Sequence, residues 1–413
     1  MRAPNVDRRP SSSRYRGWLT ALLAVAMGVS VLPGFCMGVL AEPMLSALGM
    51  SRSELGLTVA AISGVCGLSS IWLGHFADRR GGRATLLLVF GLGTATFVGI
   101  AIAPTFALLI VAAVLAGLSQ GAANPATNRV VLDSLAAGRR GLLTGVKQAG
   151  EMGAIVLAGA ALPLAAVAIG WRGTVALVAA VPAAAIIATL VLLPRRIPPA
   201  TTVSTSDPRA PISRDVWWLT AYTTIMGVSG GAVSTYLPLY AQQSVGVSAV
   251  TAGQVLAVTG LVAIPGRILW GRRAERAGTF PTQLMVLAGL AMVAAALLWA
   301  GSAFGVGFLW AGAVGWGVSQ LSFGAVSTLA VMTYAARHAV GRATGVVLVG
   351  FSVGLMLGPA LFGWLIDLTN GYSVGFGAVV LVLGSATLVS WAWRHGPAAA
   401  TLSVPESQTE RGA

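Results

Sequence analysis

Twelve apolar runs, each long enough to cross a lipid bilayer, decide what this chain can fold into. They fall at about 17–41, 53–76, 83–103, 106–132, 141–168, 173–193, 216–242, 249–273, 280–302, 305–334, 340–367 and 372–393. A helix needs about 20 apolar residues to span the hydrocarbon core. The ~10-residue alternating pattern of a transmembrane barrel strand is absent. Composition agrees: 9% of the 413 residues are charged and the mean hydropathy is +0.82. Soluble proteins carry about 25% charged residues, and so few charges cannot cover a water-facing surface. A soluble enzyme or nucleic-acid binder is excluded, and the expected fold is an all-α membrane protein of twelve transmembrane helices.

The charge balance sets an orientation. There are 26 basic residues against 12 acidic, a net charge of +14. With the N-terminus inside, every basic residue except Arg52 and Arg172 falls in cytoplasmic segments or at their helix ends. Lys and Arg collect there in membrane proteins, so the excess records topology rather than a nucleic-acid partner. The expectation is a multi-pass protein of the inner (plasma) membrane with both termini cytoplasmic. The first run resembles a signal peptide, with Val39-Leu40-Ala41 as a passable cleavage site, but it is longer than an h-region and eleven more runs follow. Cys36 and Cys66 lie inside apolar runs and read as packing residues. His75, His338 and His395 form no ligand spacing, and there is no H-E-x-x-H, C-x-x-C, nucleophile elbow or Walker loop. No metal, no cofactor and no enzymatic activity are therefore expected.

The chain divides into a cytoplasmic tail (1–16), a six-helix half (17–193), a Pro-, Ser- and Arg-rich cytoplasmic linker (194–215), a second six-helix half (216–393) and a polar cytoplasmic tail (394–413). The halves repeat one another. Gly74-His-Phe-Ala-Asp78-Arg79-Arg80-Gly81 after the second span returns as Gly271-Arg-Arg-Ala-Glu275-Arg276-Ala-Gly278 after the eighth. Ser119-Gln120 returns as Ser319-Gln320, and Thr144-Gly145-Val146 as Thr344-Gly345-Val346. Parallel six-helix repeats are a transporter design with the substrate site at the midplane between them.

The loop Gly74-x-x-x-Asp78-Arg79-x-Gly81-x-Arg83 resembles the loop 2–3 signature of the major facilitator superfamily, and its second copy strengthens the resemblance over about residues 17–393. Ala84 departs from it, where a second basic residue is frequent. The resemblance implies that Gly74, Asp78, Arg79, Gly81 and Arg83, with Gly271, Glu275, Arg276 and Gly278, form a conformational latch. Physically, Gly74 would let the second span approach a neighbour and Gly81 would allow a tight reversal. Asp78 would face a helix N-terminus and nearby arginines. Two further features depart from a proton-coupled drug exporter: Gly117 stands where arginine often precedes Gln120-Gly121, and Gly159 and Pro163 are too far apart for the antiporter signature of the fifth helix.

Charges inside the spans point to function, because they are costly in lipid and face the bundle interior or a wet cavity. Arg267 in the eighth span suits bidentate carboxylate binding. It resembles the substrate-binding arginine of oxalate and monocarboxylate transporters in the superfamily, although it also lies close enough to the loop to snorkel. Arg129 can pair with Asp133 at i,i+4, and Lys147 with Glu151. Glu151 is a candidate for proton coupling with Lys147 beside it, unless the two form a static pair. Asn124, Asn128, Gln120, Gln148 and Gln320 either line the pathway or bond helix to helix. Tyr236, Pro238 and Tyr240 either gate the cavity or anchor the interface. The expected function is secondary active transport of a small molecule, a small organic anion, through alternating access by a monomer in the bilayer. A co-transported proton is the expected coupling. Arg267, Arg129, Asn124, Gln148, Gln320 and Tyr236 are the candidate ligands. By resemblance the chain is nearest the carboxylate and cyanate permeases. The alternatives are a drug or metabolite exporter of the same superfamily and a non-transporting receptor or sensor.

Overall fold

The computed structural model describes residues 13–134, 140–193, 212–335 and 340–395. The expected tails and most of the linker lie outside them. The described residues form helices and no strand. In chain order these are α1 (Ser13–Val39), α2 (Ala41–Leu48), α3 (Arg52–Ile102), α4 (Phe106–Ser134), α5 (Arg140–Leu192), α6 (Arg214–Gln243), α7 (Ala249–Ala277), α8 (Phe280–Phe304), α9 (Val306–Val318), α10 (Phe323–Tyr334), α11 (Val340–Thr369) and α12 (Ser373–His395).

Four of these depart from one helix per span. α3 has 51 residues and α5 has 53. Straight, each would be nearly 80 Å long at 1.5 Å per residue, more than twice the ~30 Å hydrocarbon core. Each instead reverses at a single glycine, Gly81 (φ 81°, ψ 167°) and Gly170 (φ 74°, ψ 163°). A side chain is strained in that backbone region, so glycine sits where the chain turns. The tenth span is broken into α9 and α10. Ser319 Oγ donates to Gly315 O at 2.6 Å and Ser322 Oγ to Gly317 O at 2.9 Å. Serine hydroxyls compete in this way with the helical ladder. The short α2 ends on Gly49 in the left-handed conformation (φ 62°), and sequence periodicity gave no sign of it.

Close contacts fix the directions. On α3 and α4, Gly117 meets Ile62 and Val65, and Gly121 meets Cys66 and Ser69, so the second and fourth spans run parallel. Gly82 meets Val130 and Gly99 meets Ala112, so the third span runs antiparallel to the fourth. α6 and α11 run parallel, with Gly350 on Thr220, Gly354 on Thr224 and Gly358 on Val228. Small residues let these backbones touch, as packing in lipid requires when hydrophobic burial gives no drive. Outward positions are apolar, as on α5 (Leu157, Leu164, Val167, Val191) and α12 (Leu381, Leu388), and match a lipid-facing surface.

The two halves meet along α3 with α11, α5 with α7 and α1 with α6. α1 and α6 run parallel, Gly38 lying against Thr235 near the end of each. Both halves therefore begin at one end of the bundle, here called the terminal end; the opposite end is the far end.

Candidate functional site

Lys147 and Glu151 lie on α5 and Arg267 on α7, two helices along which the halves meet. Lys147 is 2% exposed. Its ammonium donates to Asn128 Oδ1 at 2.6 Å, Thr127 Oγ1 at 3.0 Å and Asn124 Oδ1 at 3.3 Å. The i,i+4 spacing offered Glu151 as a contact partner, but the ammonium turns to three neutral oxygens of α4 instead. These use all three of its donors. A full positive charge is thus held in place with no hydrogen bond left to give.

Arg267 is fixed differently. Its Nε donates to Leu321 O at 2.9 Å, in the break between α9 and α10. That carbonyl is available because the Ala325 N–H bonds Ser322 O instead. Arg267 shows no other hydrogen bond among the described residues, so the two terminal nitrogens of the fork are not engaged there. Glu151, partly exposed, follows Lys147 by one turn on α5 and has no ion pair within 4.0 Å among the described residues.

The other expected ligands are distributed more widely. Asn124 joins this cluster through Lys147, and Gln148 is its sequence neighbour, with Oε1 buried and unpartnered among the described residues. Gln320 is 2% exposed and donates to Met226 O at 2.7 Å, tying the broken span to α6. Tyr236 is not in the cluster: it is fully buried near the far end, donates to Arg52 O at 2.6 Å and packs on Phe362.

Arg129 belongs to the loop signature. Its Nη1 lies 3.9 Å from Asp78 Oδ1. The side chain of Asp133, its expected partner, lies outside the described residues. Arg83 donates to Leu190 O at 3.3 Å, joining the third and sixth spans. Arg79 is exposed and lines a surface pocket of about 600 Å³ with Trp72, His75, Phe76 and Arg80, at the terminal end of the second span. Gly81 makes the expected reversal, but Gly74 does not make the expected close approach. A methyl group at Gly74 would meet nothing within 4 Å; Gly82 is the glycine that packs, against Val130. In the second copy Gly278 caps α7 in the left-handed conformation (φ 62°), Gly271 has open space, and Glu275 and Arg276 are exposed.

The far end carries a cluster that sequence reasoning missed. Asp367 of α11 accepts from Arg52 N at 3.3 Å, Ser53 N at 2.7 Å and Ser53 Oγ at 2.5 Å. The Ser51–Glu54 capping box satisfies the N–H groups of Ser51 and Glu54. All four orphan donors at the start of α3 are therefore paired, two of them by the other half. Arg52 also donates to Gln243 Oε1 at 2.9 Å, and Gln243 Nε2 donates to Glu42 Oε2 at 2.6 Å. Arg52 and Arg172 were the two basic residues that broke the orientation pattern, and that was the available signal. Arg172 is likewise engaged, with Ala101 O at 2.9 Å and over the Trp171 ring.

Asp367→Ala is expected to raise amide hydrogen exchange in a peptide covering Arg52 and Ser53 by about fivefold, since each lost hydrogen bond is worth about 1 kcal/mol. Unchanged protection in a folded variant would mean that Asp367 does not cap α3.

A sequence model described as Major Facilitator Superfamily matches residues 19–348. A protein named "Probable nitrate/nitrite transporter NarK2", from two Mycobacterium tuberculosis strains (CDC 1551 / Oshkosh and ATCC 25618 / H37Rv), is 29% identical over 399 residues. The match covers 90% of this chain and 94% of the relative. Among solved structures, a bacterial homologue of the human lysosomal transporter Spinster, inward-facing and unoccupied, superposes with a TM-score of 0.75 at 18% identity, covering 92% of this chain and 97% of the other. A variant of the nucleoside transporter NupG gives 0.71 at 13% identity, covering 91% and 98%. At these identities the two structures speak for the fold alone.

Proposed function

The chain belongs to the major facilitator superfamily, and from that premise we propose that it is a secondary active transporter of a small oxyanion, working by alternating access of its two halves. The observation that carries this reading is Arg267. A guanidinium within a membrane span is held by one nitrogen at a helix break, and the rest of its fork has no partner among the described residues. That fork matches planar carboxylates and nitrate-like ions in two parallel hydrogen bonds. Lys147 adds a second fixed charge that attracts an anion without binding it directly. The nitrate/nitrite name of the relative supports the anion class, and extends the expected organic anion to inorganic oxyanions.

The remaining roles follow the same reading. Asp78, Arg79 and Arg129 work as a latch at the terminal end, which we assign to the cytoplasmic face from the Lys and Arg distribution. Glu151, the expected coupling residue, keeps its charge in this reading, and the site we assign uses residues of a single chain.

Counterflow in proteoliposomes tests the function. Liposomes preloaded with formate, nitrate, oxalate or sulfate are expected to accumulate the same labelled anion transiently and saturably. Binding without exchange would favour a sensor. Exchange of bulky organic cations with no response to any of the four anions would favour a drug exporter.

A further inference from the structure

The proposed anion site holds a negative charge that a plain anion receptor would not need. Glu151 sits on α5 in the first half and Arg267 on α7 in the second. The two helices run antiparallel, with Gly159 against Gly253 and Met152 and Ile155 against Gly260. Continued along both helices, that register brings Arg267 level with Lys147 and Gln148, about one helical turn from Glu151. Lys147 itself lies one turn from Glu151 on the same helix. Yet among the described residues no ion pair within 4.0 Å joins Glu151 to either cation.

The spacing matters. A contact pair would occupy the guanidinium fork, whereas a carboxylate at a distance lowers the local potential and leaves the fork open. Lys147 and Arg267 set against Glu151 leave one net positive charge. Arg129 does not add to it, because Asp78 lies beside it at 3.9 Å.

We propose that Glu151 is the counter-charge of the site, a specificity residue that favours transport of monovalent over divalent anions. The proposal rests on the anion-transport reading of the same site. When the halves close, the site leaves water, and every uncompensated unit charge becomes costly. A monovalent anion brings Lys147, Arg267 and Glu151 to neutrality; a divalent anion leaves one negative charge enclosed. Glu151 acts through its field on the anion and on Arg267, without contact to the substrate.

The test compares uptake of a divalent and a monovalent anion, oxalate against formate and sulfate against nitrate, in proteoliposomes at neutral pH. Wild type is expected to favour the monovalent partner in both pairs. Glu151→Gln removes the counter-charge and is expected to raise the divalent-to-monovalent ratio on the order of tenfold or more. Glu151→Asp keeps the charge and is expected to keep the wild-type ratio, whatever its rate. Lys147→Gln changes the balance in the opposite sense and is expected to lower the ratio, which keeps the test decisive if Glu151→Gln does not fold. An unchanged ratio in Glu151→Gln, an equal shift in Glu151→Asp, or a rise in Lys147→Gln would overturn the proposal. The underlying anion reading fails separately, if wild type exchanges none of the four anions.

Discussion

Arg267→Gln is expected to reduce exchange of small anions by about a hundredfold or more, with the wild-type chain as reference. A charge-assisted hydrogen bond is worth about 1.5–3 kcal/mol, and glutamine offers neither the charge nor the parallel fork. Loss of one such bond already gives about tenfold or more, and the positive charge that attracts the anion goes with it. The substitution also removes the tie from Nε to Leu321 O, so the thermal midpoint of the unliganded variant must be measured alongside. Arg267→Lys separates the two effects: it keeps a charge while losing the tie and the bidentate geometry, and is expected to fall between wild type and glutamine. A glutamine variant that folds normally and exchanges anions with wild-type affinity would end the assignment of Arg267 as the ligand.

Gly354→Val is expected to abolish most of the folded protein recovered from the membrane. A Cβ at Gly354 would overlap the Thr224 carbonyl and lie 2.9 Å from both Gly227 Cα and Val228 N. These are backbone atoms of α6 and cannot swing away as a side chain can. The helices must separate, and with them the Gly350 and Gly358 contacts one turn to either side. Overpacking a tight interior costs about 1–3 kcal/mol for a few methyl groups, and more when backbone is displaced. Gly289→Ala is the matched control, because a methyl group there meets nothing within 4 Å. Recovery and thermal midpoint by size-exclusion chromatography decide the matter; a valine variant as stable as the alanine control would show that α6 and α11 do not depend on this contact.

The spans were legible because long apolar runs give the strongest pattern a sequence carries. The run at 216–242 became α6 (Arg214–Gln243), and the run at 280–302 became α8 (Phe280–Phe304). What escaped depends on contacts between distant residues or on competition within a turn. The break in the tenth span falls at Ser319 and Ser322, whose hydroxyls bond Gly315 O and Gly317 O, and it leaves the hydropathy unchanged. Asp367 and Ser53 are 314 residues apart, and nothing local marks them as partners. Among the candidate site residues, the scarcity of charge singled out Arg129, Lys147, Glu151 and Arg267, of which Arg129 lies beside Asp78 instead. Helical spacing then offered Lys147 its nearest neighbour on α5, while Asn124, Thr127 and Asn128 on α4 supply three oxygens together. Tyr236 was grouped with the ligands because it lies in an aromatic stretch, but its hydroxyl is committed to Arg52 O.

The far-end cluster bears on how such a molecule moves at all. Two greasy surfaces slide past one another easily and tolerate many registers. Directional bonds from Asp367 to two particular amides allow only one. If the far end parts, those amides and the carboxylate meet water and recover most of what they lose, since a hydrogen bond exchanged for hydration changes the free energy by only about 1 kcal/mol. The cluster therefore works as a key rather than a glue: it dictates where the halves meet without holding them there. These bonds therefore oppose parting of the far end only weakly, while fixing the register in which it closes.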